Sequence, residues 1–80
     1  MSSDILLSLN HERLEVWQVG KDVCVRYSHC DVKDGPVLLG TFGRGSNFEL
    51  ACDDYLEKIR GKTLVFNAFG TGRREVSVLG

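Results

Sequence analysis

The sequence predicts an α+β fold: an antiparallel β-meander of about five strands with one α-helix, about residues 47–60, packed on one face. Short runs alternate polar and apolar residues, and breaks rich in Gly and Asp separate them. One longer run repeats its apolar residues at helical spacing. The predicted order is β-β-β-α-β-β, in which short turns imply antiparallel neighbours. Residues 1–80 are enough for a single small domain.

The N-terminal segment carries the weakest pattern. Met1–Asp4 is predicted to be disordered, as chain ends commonly are. Ile5–Leu9 is apolar but short, so it fits an edge strand or a single helical turn equally well. It has no basic flank and is too short for a signal-peptide core or a membrane span. We therefore expect a cytoplasmic protein with no membrane partner.

The first half of the chain predicts three strands. Arg13–Val19 and Val23–Tyr27 alternate polar and apolar residues around a short Gly-containing turn, a pattern typical of a hairpin. Asp31–Pro36 combines Asp-Gly turn chemistry with a proline and predicts the clearest break in the chain. Val37–Phe42 then predicts the third strand.

The helix is the best-defined element of the sequence. Ser46 is a candidate N-cap with Glu49 three residues on, the spacing of a capping box, and Gly61 suits the left-handed position after a helix. Asp54 and Lys58 are four residues apart in the favourable order. One face collects the apolar residues Phe48, Ala51, Cys52, Tyr55, Leu56 and Ile59.

A second hairpin is predicted after the helix. Thr63–Phe69 is rich in β-forming residues, and Arg74–Val78 alternates again. Gly70–Gly72 supplies the loop between them. Because a single helix hides only part of a sheet, the opposite face is left to water or to a partner.

Composition and charge restrict the function. The chain is 42% hydrophobic and 26% charged, with a net charge of −1, so it is predicted to fold but not to attract nucleic acid or anionic lipid as a whole. Near-neutral charge also leaves little repulsion between copies. A single-helix domain of this size has little room for an ordinary active-site pocket, so we expect no enzyme activity.

The cysteines and histidines do not form a metal or catalytic motif. Three cysteines are an odd number, which favours buried, reduced thiols over a disulfide framework. Cys24, His29 and Cys30 have the wrong spacing for zinc and lack a second ligand pair. The sequence therefore predicts no catalytic residue, no metal site and no cofactor.

Two other features are candidate anion or nucleic-acid sites. Gly43–Ser46 reads as a glycine-rich turn opening a helix, where backbone N–H groups and Arg44 would bind a phosphate or carboxylate. The pattern is neither the dinucleotide fingerprint nor a Walker loop, and a plain turn with an exposed arginine is the alternative. A basic cluster is predicted if the last hairpin folds beside the helix end; its members are Arg60, Lys62, Arg73 and Arg74.

Trp17 is the best single candidate for a binding hot spot. It is out of phase with Leu14 and Val16, which places it on the side that the helix does not cover. The alternative is that it packs in the core or under the N-terminal segment.

Residues 43–66 resemble a pattern of small uncharacterised bacterial and prophage-type proteins. In these a glycine-containing turn leads into S/T-x-F-E-x-A-x-x-D-Y and then a strand, here Ser46–Tyr55 followed by Thr63–Phe66. The resemblance implies a bacterial or phage origin and no particular activity. At the level of fold, the chain is similar to the β-β-β-α-β domains of HicB-like antitoxins, but it adds a final strand and lacks their DNA-binding segment.

The sequence therefore predicts a small non-catalytic protein-interaction module that binds an unidentified protein or self-associates as a homodimer. The alternative is a nucleic-acid-binding domain that uses the basic cluster.

Overall fold

A computed structural model describes residues 13–78, so the segments Met1–Asp4 and Ile5–Leu9 lie outside the described part of the chain. The described part contains seven strands and one helix, which confirms the α+β class. They are β1 Leu14–Val19, β2 Asp22–Tyr27, β3 Cys30–Asp34, β4 Val37–Leu39, β5 Gly43–Gly45, α1 Phe48–Ile59, β6 Thr63–Phe66 and β7 Arg74–Ser77.

The strands form two antiparallel sheets instead of the single five-stranded meander that the sequence predicts. Sheet A has the order β1-β2-β5, and sheet B has the order β4-β3-β6-β7. The predicted third strand, Val37–Phe42, is shorter in the structure: residues 37–39 pair in sheet B, and residues 43–45, predicted as a turn, form a further strand in sheet A. The predicted strand count and order are therefore wrong, although the class holds.

Strand β3 lies where the sequence predicts a break. Cys30 and Val32 are buried, while Asp31 and Lys33 alternate with them on the other side, so a mostly polar segment still presents an apolar face. It pairs with β4 on one side and β6 on the other. The turn itself is confined to the residues after Asp34, where Gly35 has a φ of 59°.

The chain passes from one sheet to the other through a sharp bend at Ser28 and His29. The Ser28 N–H donates to the Arg13 carbonyl at 2.9 Å, which extends sheet A, and the His29 carbonyl accepts from the Asn67 N–H at 2.9 Å, which extends sheet B. His29 has a φ of 53°, a left-handed conformation that redirects the backbone. One continuous stretch of chain thus belongs to both sheets.

Helix α1 begins one residue later than predicted. Asn47 is the N-cap: its Oδ1 accepts from the Leu50 N–H at 2.9 Å, so the predicted cap at Ser46 is wrong. The helix ends at Ile59, and Gly61 follows with a φ of 72°, as the sequence predicts. Its buried residues are Ala51, Cys52, Tyr55, Leu56 and Ile59, with Phe48 partly buried.

The predicted glycine turn at residues 43–46 is mostly strand, because Gly43–Gly45 forms β5. A Cβ at Gly43 would lie 2.6 Å from the Tyr55 backbone nitrogen, and one at Gly45 would lie 2.6 Å from the Ala51 nitrogen. Glycine is therefore required at both positions for β5 to pack directly on α1.

The core lies between α1 and the inner faces of both sheets. Tyr27 and Tyr55 are fully buried with ring centroids 5.6 Å apart, and the ring of Phe66 lies 5.8 Å from that of Tyr27. The Tyr55 hydroxyl accepts from the Tyr27 N–H at 3.1 Å. Burial raises the pKa of both tyrosine hydroxyls above their ordinary range, so both stay neutral.

Candidate interaction surface

Sheet A has one face against the helix and one face turned away from it. Val25 belongs to the core and pairs with Gly43, which contacts α1, so this row marks the inner side. The neighbouring row, in which Trp17 pairs with Cys24 and Cys24 with Arg44, points the other way because side chains alternate along strands. We call this side the outer face of sheet A. It carries Glu15, Trp17, Val19, Asp22, Cys24, Arg26, Phe42 and Arg44.

An aromatic pair forms the centre of the outer face. The ring centroids of Trp17 and Phe42 are 5.7 Å apart at an interplanar angle of 50°. Trp17 is 37% exposed and Phe42 is 39% exposed, whereas Cys24 on the same face is fully buried. Because each ring is held by the other, the pair offers apolar area without losing much side-chain freedom on binding.

Two arginines border the aromatic pair, and a carboxylate balances each. Arg26 Nε lies 3.2 Å from Glu15 Oε1, and its Cζ lies 6.0 Å from the centre of the Trp17 ring. Arg44 Nε donates to Asp22 Oδ2 at 2.7 Å, and this hydrogen bond raises the pKa of Arg44. The outer face is therefore polar at its border and locally neutral, not a positive patch.

Lys58 and Asp54 fix the other side of Phe42. The Lys58 ammonium donates to the Phe42 carbonyl at 3.0 Å and lies 5.5 Å from the centroid of the Phe42 ring. The same ammonium is 2.9 Å from Asp54 Oδ2. Asp54 Oδ2 also accepts from the Arg44 N–H at 2.9 Å. Partial burial raises the pKa of Asp54, but Lys58 and the Arg44 N–H more than offset this, and the net pKa is lowered.

The Asp54 carboxylate also occupies part of the predicted anion site at residues 43–46. Among the N–H groups of the Gly43–Ser46 segment, that of Arg44 already donates to Asp54, and the Arg44 side chain is paired with Asp22. A phosphate at this position would meet two carboxylates. The geometry therefore favours a packed strand over an anion site at residues 43–46. Gly43 and Gly45 are glycines because the backbone of α1 leaves no space for a Cβ.

Strand β1 is an edge of sheet A, pairing within residues 13–78 with β2 alone. Three apolar side chains on this strand are substantially exposed: Val16 at 53%, Trp17 at 37% and Val19 at 42%. The pairing with β2 runs without a bulge from Leu14 to Val19. An uninterrupted exposed edge is a template for pairing with another strand.

A third exposed aromatic residue, Phe69, lies on the loop at residues 67–73. The sequence predicts strand up to Phe69, but β6 ends at Phe66 and Phe69 is 95% exposed on the loop. Asn67 has a φ of 54°, and its Nδ2 donates to the Gly72 carbonyl at 3.3 Å, which closes the loop. Arg26 borders both Trp17 and a depression of about 400 Å³ beside this loop.

The four cations of the predicted basic cluster lie in two groups. Lys62 precedes β6, where its carbonyl accepts from the Val78 N–H, and Arg60 lies 3.7 Å from Glu57. Arg73 and Arg74 lie at the opposite end of the β6–β7 pair, since Arg74 is opposite Phe66. The two ends are about 10 Å apart along the strand.

The individual contacts of Arg73 and Arg74 also differ from those of a free basic patch. Arg73 lies 3.2 Å from Glu75, and Arg74 stacks on the Phe66 ring at 4.6 Å. Both arginines therefore make contacts within the domain, and the structure does not bring them together with Arg60 and Lys62.

The thiols and acidic residues of the described part form no reactive cluster. Cys24, Cys30 and Cys52 are all buried and unpaired, and burial raises the pKa of the Cys30 and Cys52 thiols to about 11. Among residues 13–78 no group of three His, Cys, Asp or Glu side chains is placed to hold a metal ion.

In the sequence Phe42 is only the last residue of the predicted third strand, whereas the structure places it beside Trp17 on the outer face. Its place on the outer face follows from alternation with Gly43, but only once β5 is known to be a strand.

Comparison with family models, with curated proteins and with solved structures finds no match to this chain. Within the described residues, no helix has the length and apolar character needed to cross a bilayer.

Proposed function

We propose that this chain is a small non-catalytic protein-interaction domain, and that it binds through the outer face of sheet A and the adjoining edge of β1. The observation that carries the proposal is the exposed but fixed pair of Trp17 and Phe42. Aromatic residues at the centre of a surface, with a polar border, are the usual composition of a protein-binding hot spot.

The charges of the surface favour a protein over a nucleic acid. Arg26 and Arg44, the two arginines nearest the aromatic pair, are each bound to a carboxylate. A phosphate backbone would have to displace or meet those carboxylates, and affinity for nucleic acid depends on unbalanced cations. Three buried thiols without a disulfide fit a reducing compartment and support a cytoplasmic location.

Site-specific photocrosslinking tests the proposal in the cells that produce the protein. A photoreactive amino acid at Val19, exposed on the outer face, is compared with one at Glu57 on the exposed side of α1. We expect Val19 to give a discrete protein product that Glu57 does not give. The Trp17→Ala variant should lose this product, whereas Leu50→Ala, which removes an exposed side chain from the helix, should retain it.

Thermal unfolding by circular dichroism shows whether Trp17→Ala remains folded. If it does not, Phe42→Leu replaces it, because this change removes the ring contact and keeps an apolar side chain. Equal products from Val19 and Glu57, or a product that contains nucleic acid, would refute the proposed function.

A further inference from the structure

We infer that the partner is a second copy of this chain, and that the two β1 strands pair antiparallel about a twofold axis at Val16. This inference rests on the proposed function and names its partner. The result would be a continuous six-stranded sheet made of two copies of sheet A.

The hydrogen-bonding pattern of β1 identifies the backbone groups that pair with no other strand within residues 13–78. The Ser28 N–H bonds to the Arg13 carbonyl, which marks Arg13 as a residue that bonds inward to β2. In an antiparallel pair, inward and outward bonding alternate along the strand. Glu15, Trp17 and Val19 therefore bond to β2, and the outward-directed residues are Leu14, Val16 and Gln18.

Three twofold registers join more than one pair of these outward residues, with axes at Glu15, Val16 or Trp17; axes at Leu14 or Gln18 would join one pair each. An axis at Glu15 would place two carboxylates directly opposite each other, which is unfavourable. An axis at Trp17 gives two hydrogen-bonded residue pairs within β1. The axis at Val16 gives three, because Leu14 faces the partner's Gln18, Val16 faces the partner's Val16, and Gln18 faces the partner's Leu14.

The side chains suit the register at Val16. Val16, 53% exposed, would pack against the partner's Val16 on the inner side. On the outer face, Trp17 would lie opposite the partner's Glu15, so no like charges face each other. The net charge of −1 adds little repulsion.

Apart from Glu15, whose carboxylate is paired with Arg26, β1 lacks the features that protect edge strands. Residues 14–19 contain no proline and no lysine, and the register with β2 shows no bulge. A single edge pairing buries a small area, so the dimer should be concentration-dependent and not obligate.

Disulfide trapping tests the axis directly. In the proposed register the Cα atoms of the two Val16 residues lie about 5.5 Å apart, which a disulfide spans. Val16→Cys should therefore form a covalent dimer under mild oxidation. Gln18→Cys is the matched control, because its two copies lie more than about 13 Å apart along the strand.

Other cysteine positions distinguish the registers. Trapping at Glu15→Cys or Trp17→Cys in preference to Val16→Cys would overturn the proposed axis. The three native cysteines do not complicate the test, since all of them are buried.

Sedimentation of the unmodified chain up to about 1 mM tests the dimer itself. Val16→Pro removes an outward N–H from each copy without removing a bond to β2. It should raise the dimer dissociation constant about 30-fold, the effect of two lost hydrogen bonds, whereas Val16→Thr should change it little.

A chain that stays monomeric, or a Val16→Pro variant that dimerises as well as the parent, would overturn the self-pairing. If the chain is monomeric but Val19 still crosslinks to a different protein, only this inference fails. If Val19 gives no protein product, the proposed function fails as well.

Discussion

Adding one methyl group at Gly43 should strongly destabilise the domain. In Gly43→Ala the new Cβ would lie 2.6 Å from the Tyr55 nitrogen and closer still to the Ala51 carbonyl oxygen, where ordinary contacts begin at 3.4 Å. The obstructing atoms belong to the helix backbone and cannot rotate away, so α1 and β5 must separate. We expect a loss of about 3 kcal/mol, the upper end for overpacking.

The assay is urea unfolding followed by circular dichroism, with Gly40→Ala as the matched control. Nothing lies within 4 Å of a Cβ at Gly40, so this change should alter the free energy of unfolding by less than about 0.5 kcal/mol. In thermal unfolding, the Tm of Gly43→Ala should be lower than that of the parent protein by roughly 12–24 °C. If Gly43→Ala proves as stable as Gly40→Ala, the direct packing of β5 on α1 is wrong.

Two further substitutions test the helix start and its ion pair. Asn47→Ala should lower the free energy of unfolding by about 1 kcal/mol, because the N-cap is lost, while Ser46→Ala should lower it much less. Urea unfolding measures both, and a larger loss for Ser46→Ala would show that Ser46 is the cap. Asp54→Asn should cost at most about 1 kcal/mol at pH 7, because the pair with Lys58 is partly exposed. The pKa of Asp54 is lower in the folded protein than in the unfolded chain, where it is about 3.9. The ionised carboxylate therefore stabilises the fold at pH values above the unfolded pKa, and this stabilisation is lost as the pH falls through the folded pKa. The two curves of stability against pH should therefore converge in acid, and a constant difference would contradict the assignment.

Local patterns in the sequence predict the helix well. The apolar residues at helical spacing, from Cys52 to Ile59, are the ones that the core buries, because an amphipathic face has only one way to leave water. Gly61 was also predictable, since its φ of 72° suits glycine. The cap was not, because Ser46 and Asn47 are both good caps and the choice depends on where β5 ends.

The two-sheet arrangement depends on contacts between distant residues. Cys30 pairs with Phe66 and Val25 with Gly43, and no local pattern encodes either pairing. The left-handed conformation of His29 has no sequence signal comparable to that of a glycine. The surface was only partly predictable for the same reason: the phase of Trp17 can be read locally, but its contact with Phe42 requires β5 to lie in sheet A.

The bend at His29 has a practical consequence for anyone who wishes to attach a fluorophore or an affinity tag. Because only Ser28 and His29 lie between β2 and β3, and each is hydrogen-bonded to one of the two sheets, residues inserted there would disrupt the junction between the sheets. The β3–β4 hairpin is a better insertion point, since Gly35 has open space around it and its backbone is exposed. The β3–β4 hairpin belongs to sheet B, whereas β1 belongs to sheet A. A reporter inserted in this hairpin would therefore not be attached to the sheet that carries the β1 edge.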